Sequence, residues 1–181
     1  MRDDRVREYI FPKRIVLSEG KIECSENVLK IQELQIATSE FHTFRMTGRS
    51  YIVLDFESEM YGGIRILTKN SDSIDGAVNI RNKLRIRFGE SVSECCAEPG
   101  YKNCGNDHSA RDIQVLVSSH SDEVYGNTGF RFVRIDVEDP NATVLFKSFV
   151  AVSIFRDLPY LGDFECSDLL VNEIYATARR T

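Results

Sequence analysis

The 181-residue chain contains no tryptophan, only four prolines and three histidines, and an odd five cysteines. Without an indole it lacks the broadest side chain on which a sugar ring can stack, so any such platform falls to tyrosine. Cys24, Cys95, Cys96, Cys104 and Cys166 are too few and too scattered for a disulfide scaffold, and free thiols are the expectation. No apolar run approaches the roughly 20 residues that cross a bilayer, so no membrane helix is expected. The opening MRDDRVR is charged and leads into no apolar stretch. A cytoplasmic setting without a secretory signal is therefore expected, unless a leader has been removed. Lysine and arginine number 23 against 28 aspartates and glutamates, giving a net charge of -5. That balance lacks the positive field a phosphate backbone requires, so nucleic acid is not an expected partner.

What the chain has is β patterning. Leu84, Ile86 and Phe88 alternate with Arg85 and Arg87, which predicts an apolar face backed by a solvated basic row. Residues 51–56 (YIVLDF) and 63–67 (GIRIL) read as two short strands, with a turn over 57–62 marked by Ser58 and Gly62. Residues 113–117 (IQVLV) read as another. In 130–137 (FRFVRIDV) Phe130 and Phe132 share one face and Val133, Ile135 and Val137 the next, which predicts a bulge at Phe132–Val133. Residues 143–156 are apolar on both faces and fit one buried strand or two short ones. Many short strands without intervening helical periodicity indicate an all-β antiparallel sandwich, of jelly-roll, concanavalin-like or galactose-binding-like type.

The C-terminus departs from this pattern. Pro159 and Gly162 mark 157–166 as a connector, and Ser167 or Asp168 caps a helix expected from about Leu169 to Arg179. Leu170, Ile174 and Ala178 form a short apolar stripe along it. So short a helix needs a packing partner: the sandwich, a second copy in a homodimer, or a domain beyond this chain.

Five stretches carry a family resemblance: 54–63 (LDFESEMYGG), 84–94 (LRIRFGESVSE), 106–112 (NDHSARD), 126–136 (GNTGFRFVRID) and 155–168 (FRDLPYLGDFECSD). Together they resemble the bacterial α-L-rhamnosidase family, glycoside hydrolase family 78, in the β-sandwich preceding its catalytic barrel. The resemblance implies a sandwich over 1–156, a connector over 157–166, and the first helix of a missing (α/α)6 catalytic domain from 167. It implies rhamnose-containing glycans as the substrate class of the parent. The barrel carries the acid and base that hydrolyse the glycoside with inversion. The family's catalytic stretch contains a Gly-Trp run, which a chain without tryptophan cannot hold, so no catalytic residue is transferred and this chain alone is expected to be inactive.

Several constellations bear on chemistry. Asp55, Glu57, Glu90, Glu94, Asp107 and Asp112 supply carboxylates, read as a solvated rim with turn-forming aspartates. Asn106 and Asp107, with Arg111 nearby, offer paired donors and acceptors to a polyol, or else cap a turn and pair locally. His108 has no visible nucleophile beside it. Cys95, Cys96, Cys104 and His108 suggest zinc, but vicinal cysteines rarely aim both sulfurs at one ion, so no metal and no cofactor is expected. Gly62–Gly63 and the 126–129 run (GNTG) read as hairpin turns. Tyr61, Tyr101 and Tyr125, placed in loops, are the candidate sugar platforms. A self-sufficient carbohydrate-binding module is the alternative to a supporting domain.

Overall fold

The computed structural model describes residues 4–37, 42–98, 100–101, 110–159 and 161–179. Contacts divide it into Val6–Phe155 and a C-terminal unit of Arg156–Thr181 with Met1–Arg5.

Alternation drives the first unit. Its strands are β1 (Arg5–Ile10), β2 (Arg14–Glu23), β3 (Phe44–Ser73), β4 (Asn82–Gly89), β5 (Asp112–Val117), β6 (Ser121–Val137) and β7 (Ala142–Arg156). They form one antiparallel sheet in the order β1-β7-β3-β6-β4-β5, with β2 added on β3. β3 is 30 residues long and changes partners along its length. Its residues 50–55 pair with the end of β6 and with β2, and its residues 60–68 pair with the start of β6. β7 joins β3 twice, Thr143 opposing Thr47 on one side and Asp72 on the other. The sheet thereby curls over its own apolar face, the all-β antiparallel architecture expected.

Phenylalanine takes the place of the absent indole in the core. Phe44, Phe146 and Phe149 form one aromatic group, with Phe44 edge-on to Phe149 at 4.9 Å between centroids. Phe56, Phe88 and Phe130 form another, with Phe88 and Phe130 5.1 Å apart. Each such pair adds about 0.5–1.5 kcal/mol beyond burial. Leu84, Ile86 and Phe88 face this core as their alternation requires.

Four expectations are corrected. Residues 57–62 are not a turn between two strands but part of β3, where a bulge rather than a reversal absorbs Ser58 and Gly62. Phe130 and Phe132 do not share a face: Phe130 joins the main core, and Phe132 packs with Val53 and Cys95 on the opposite side. The bulge stands beside Phe132 as an excess of β3 residues, with Asp55 opposite Phe132 and Met60 opposite Phe130. The basic row is not solvated, because the Arg87 side chain is 5% exposed and Arg85 18%. Arg87 pairs with Asp136 at 3.2 Å and Arg85 with Asp112 at 2.5 Å, so their charges are met by neighbouring strands.

In the C-terminal unit, α2 (Leu169–Ala178) is capped by Asp168, whose carboxylate accepts from the Leu170 and Val171 amides. Asn172 exchanges two hydrogen bonds with the Cys166 backbone. Phe164 packs on Tyr175 at 5.4 Å, folding the connector back along the helix. No residue of α2 is buried, and Leu169, Leu170 and Ile174 remain exposed.

Candidate functional site: the rim at the β3–β6 crossover

The rim arises where the register between β3 and β6 breaks. Between Asp55 and Met60 the register jumps, setting four β3 residues against Arg131 alone. Between Gly62 and Ile64 the excess lies on β6 instead. The two glycine runs therefore serve a strand crossing, not hairpins, which corrects the turn expectation. At Gly62 a Cβ would lie 1.8 Å from the Val152 carbonyl oxygen, and at Gly126, with φ +85°, it would lie 2.4 Å from the Phe88 ring. Only glycine fits such approaches.

Asp55 anchors the first bulge. Its Oδ1 accepts from the Glu57 amide at 2.7 Å and from Arg131 Nε at 2.8 Å. Its Oδ2 accepts from Arg131 Nη2 at 3.0 Å and Arg14 Nε at 2.9 Å. The Arg131 guanidinium above all, with the Glu57 amide and Arg14, pulls the carboxyl down to about 2. This grip holds Glu57 at φ 72°, a left-handed conformation that L-residues adopt only at a cost. Phe56 and Met60 turn into the core, while Glu57, Ser58 and Glu59 form an exposed ridge.

Tyr61 follows the ridge in β3, 49% exposed, and its register partner is Gly129. A Cβ at Gly129 would find only Glu59 Oε1, at 3.9 Å, so the surface beside Tyr61 is open. Arg111, just before β5, donates through Nη1 to the Gly129 carbonyl at 3.0 Å and through Nη2 to Glu90 Oε1 at 2.7 Å. Its Nε faces Glu94 Oε1 at 3.3 Å. Tyr61 and Arg111, 50 positions apart in the chain, thus converge on one β6 residue.

Glu90 and Glu94 are set by α1 (Val92–Cys96), a short helix absent from the sequence expectations. Ser91 caps it by accepting from the Glu94 amide, and Glu94 accepts from the Glu90 amide at 2.8 Å. The Ser-x-x-Glu spacing at 91–94 is a capping-box signal, which would have found the helix.

The other sequence candidates scatter. Tyr125 stands in β6 rather than a loop, half-buried against the core, with its hydroxyl donating to Glu123 at 2.7 Å. Burial first, and then Glu123, push its phenol up. Tyr61 also lies in a strand, where the bulge turns it outward. Tyr101 is 70% exposed in the loop after α1. Asn106 and Asp107, with His108 and Cys104, lie outside the described residues. Cys95 and Cys96 are free, with their sulfurs 4.0 Å apart. Among the described residues no group of three or more His, Cys, Asp or Glu is placed to hold a metal ion.

The expected solvated acids are largely engaged: Asp55 with Arg14 and Arg131, Glu90 and Glu94 with Arg111, and Asp112 with Arg85. Among the described carboxyls, those displaced from their ordinary values (Asp55, Asp75 and Glu98) all move downward. Chemically, the rim presents an open phenol edge, a guanidinium held in place and carboxylate acceptors. It is suited to hydrogen-bonding a polyol.

No protein-family model matches the chain, and no curated protein matches it. Solved structures do. A rhamnosidase from Klebsiella oxytoca, determined with rhamnose bound, superposes with a TM-score of 0.64 at 15% identity, over 94% of this chain and 33% of that one. A GH78 family rhamnosidase of Bacillus sp. GL1 gives a TM-score of 0.50 at 19% identity, over 74% of this chain and 13% of that one. The chain therefore spans about a third of the first enzyme's length and far less of the second. What it shares with both is a fold, the antiparallel sheet curled into a sandwich.

Proposed function

We propose that this chain is a non-catalytic β-sandwich of a rhamnosidase-type glycoside hydrolase, working beside a catalytic domain outside this sequence. The observation carrying this reading is the likeness to the Klebsiella enzyme, which takes in 94% of the chain yet only 33% of that protein. Here the sandwich supports the catalytic domain and shapes the entrance to its active site. The Tyr61 rim contacts the incoming glycan, with Tyr61 under a ring face and Arg111 and Glu59 toward its hydroxyls.

The reading is tested by titrating the chain with rhamnosides while assaying the same samples for cleavage. A saturable heat reduced in Tyr61→Ala, with the glycoside intact, supports it. Cleavage lost on changing one sandwich carboxylate, Glu59→Gln for example, overturns it. A self-contained carbohydrate-binding module is the second reading, favoured by the exposure of Tyr61 beside an arginine already held in place. It differs in requiring the isolated chain to bind glycan polymers as tightly as the longer protein does.

A further inference from the structure

A second concavity lies on the outer face of the sheet. Register places Gln114, Arg85, Asp136, Tyr51 and Glu19 in one row across β5, β4, β6, β3 and β2. Their strand neighbours Ile52, Ile135 and Val137 face the core, so the row faces away from it. At its β2 end a cavity of about 300 Å³ opens between Glu19, Arg49, Tyr51, Arg134, Asp136 and Glu138.

Its walls are prearranged. The Arg134 guanidinium lies 3.8 Å from the Tyr51 ring centroid and grips Asp136 through Nε and Nη2, at 2.9 and 2.7 Å. Arg87 adds two bonds to the same carboxylate from beneath, which leaves Asp136 little capacity for a ligand. Glu19 holds the Tyr51 hydroxyl and pushes its phenol up. The remaining groups have capacity to spare. Arg49 pairs with no carboxylate among the described residues. Glu138 approaches Arg85 only to 3.8 Å and is 41% exposed.

We infer that this cavity is a binding site for a neutral saccharide unit of about one ring. A guanidinium only donates hydrogen bonds and a carboxylate only accepts them. With Arg49, Glu19 and Glu138 all lining it, the cavity offers donors and acceptors together, which the hydroxyls of a sugar satisfy in both roles. An anion would meet three carboxylates here and a cation two guanidiniums. An apolar ligand would find mostly charged walls, in a volume at the small end of ligand pockets. The choice of a sugar rests on the carbohydrate reading above, but the site does not share a residue with the Tyr61 rim.

The test is amide-resolved NMR titration of the whole chain with methyl α-L-rhamnoside, glucuronate and glucosamine as probes. Saturable shifts at Ser50, Tyr51, Asp136 and Val137 are expected for the neutral glycoside, with a millimolar Kd. Arg49→Ala and Glu138→Gln should each weaken them about tenfold, while Tyr61→Ala leaves them in place. Shifts confined to Tyr61, Arg111 and Gly129 would overturn this site and leave the rim reading standing. Shifts confined to the cavity would support this site and overturn the rim. Stronger binding of either charged sugar at these amides, or no shifts anywhere, would overturn the inference.

Discussion

Arg131 holds Asp55 with two parallel hydrogen bonds, Nε to Oδ1 at 2.8 Å and Nη2 to Oδ2 at 3.0 Å, across the bulge where β3 leaves β6. The carboxylate is 3% exposed while Arg14 and Arg131 reach into water, so the pair joins a buried charge to screened ones. Its pKa of about 2 lies below that of an unfolded aspartate, so its stabilisation is complete above about pH 4 and is lost as pH falls through 2. Asp55→Asn should cost about 1–2 kcal/mol at pH 7, allowing for that screening. Urea unfolding of both proteins should show the gap closing between pH 4 and pH 2. A gap that widens in acid would contradict the assignment.

The strand crossing depends on glycine in a way that substitution can expose. Gly62→Ala forces a Cβ to 1.8 Å from a backbone oxygen, and Gly126→Ala forces one to 2.4 Å from the Phe88 ring at positive φ. Each should cost more than about 3 kcal/mol, or prevent folding, because backbone and a packed core ring cannot yield cheaply. Gly162→Ala, with nothing within 4 Å of the new Cβ, should be nearly neutral. Thermal melts of the three variants provide the comparison.

Asp136 meets two arginines, and Arg87 beneath it is almost wholly enclosed. Asp136→Ala should therefore destabilise by about 3 kcal/mol, since it leaves the buried Arg87 guanidinium with only the exposed Glu98 as a partner. Replacing Arg87 and Asp136 together with apolar residues should recover much of that loss. A double-mutant cycle in denaturant measures the coupling.

At the other end of the chain, Asp168→Ala removes the side chain that accepts from the Leu170 and Val171 amides. The helix should lose about 1 kcal/mol. Hydrogen exchange at those amides should accelerate roughly fivefold, with the sandwich amides unchanged.

Much of this architecture could be read from the residues. Leu84, Ile86 and Phe88 declared their face by alternation alone, and Asp168 declared a helix start by its chemistry. β3 hid its continuity because a bulge and a turn draw on the same residues, Ser58 and Gly62, and only pairing with β6 distinguishes them. Arg85 and Arg87 looked solvated because their acids, Asp112 and Asp136, arrive from other strands. The rim was half visible. Tyr61 and Arg111 stood out as residue types, yet their convergence on Gly129 is a matter of register, which no local pattern encodes. Tyr125 misled for the same reason: its ring turns to the core only because β6 bulges at Gly126.

The central claim is tested most directly by calorimetric titration of the purified chain with a rhamnosyl glycan, followed by analysis of the recovered sugar. A saturable heat that is reduced in Tyr61→Ala, with the glycan recovered whole, is the expected result. Released rhamnose from the unaided chain, or no heat with any neutral glycan, would contradict it.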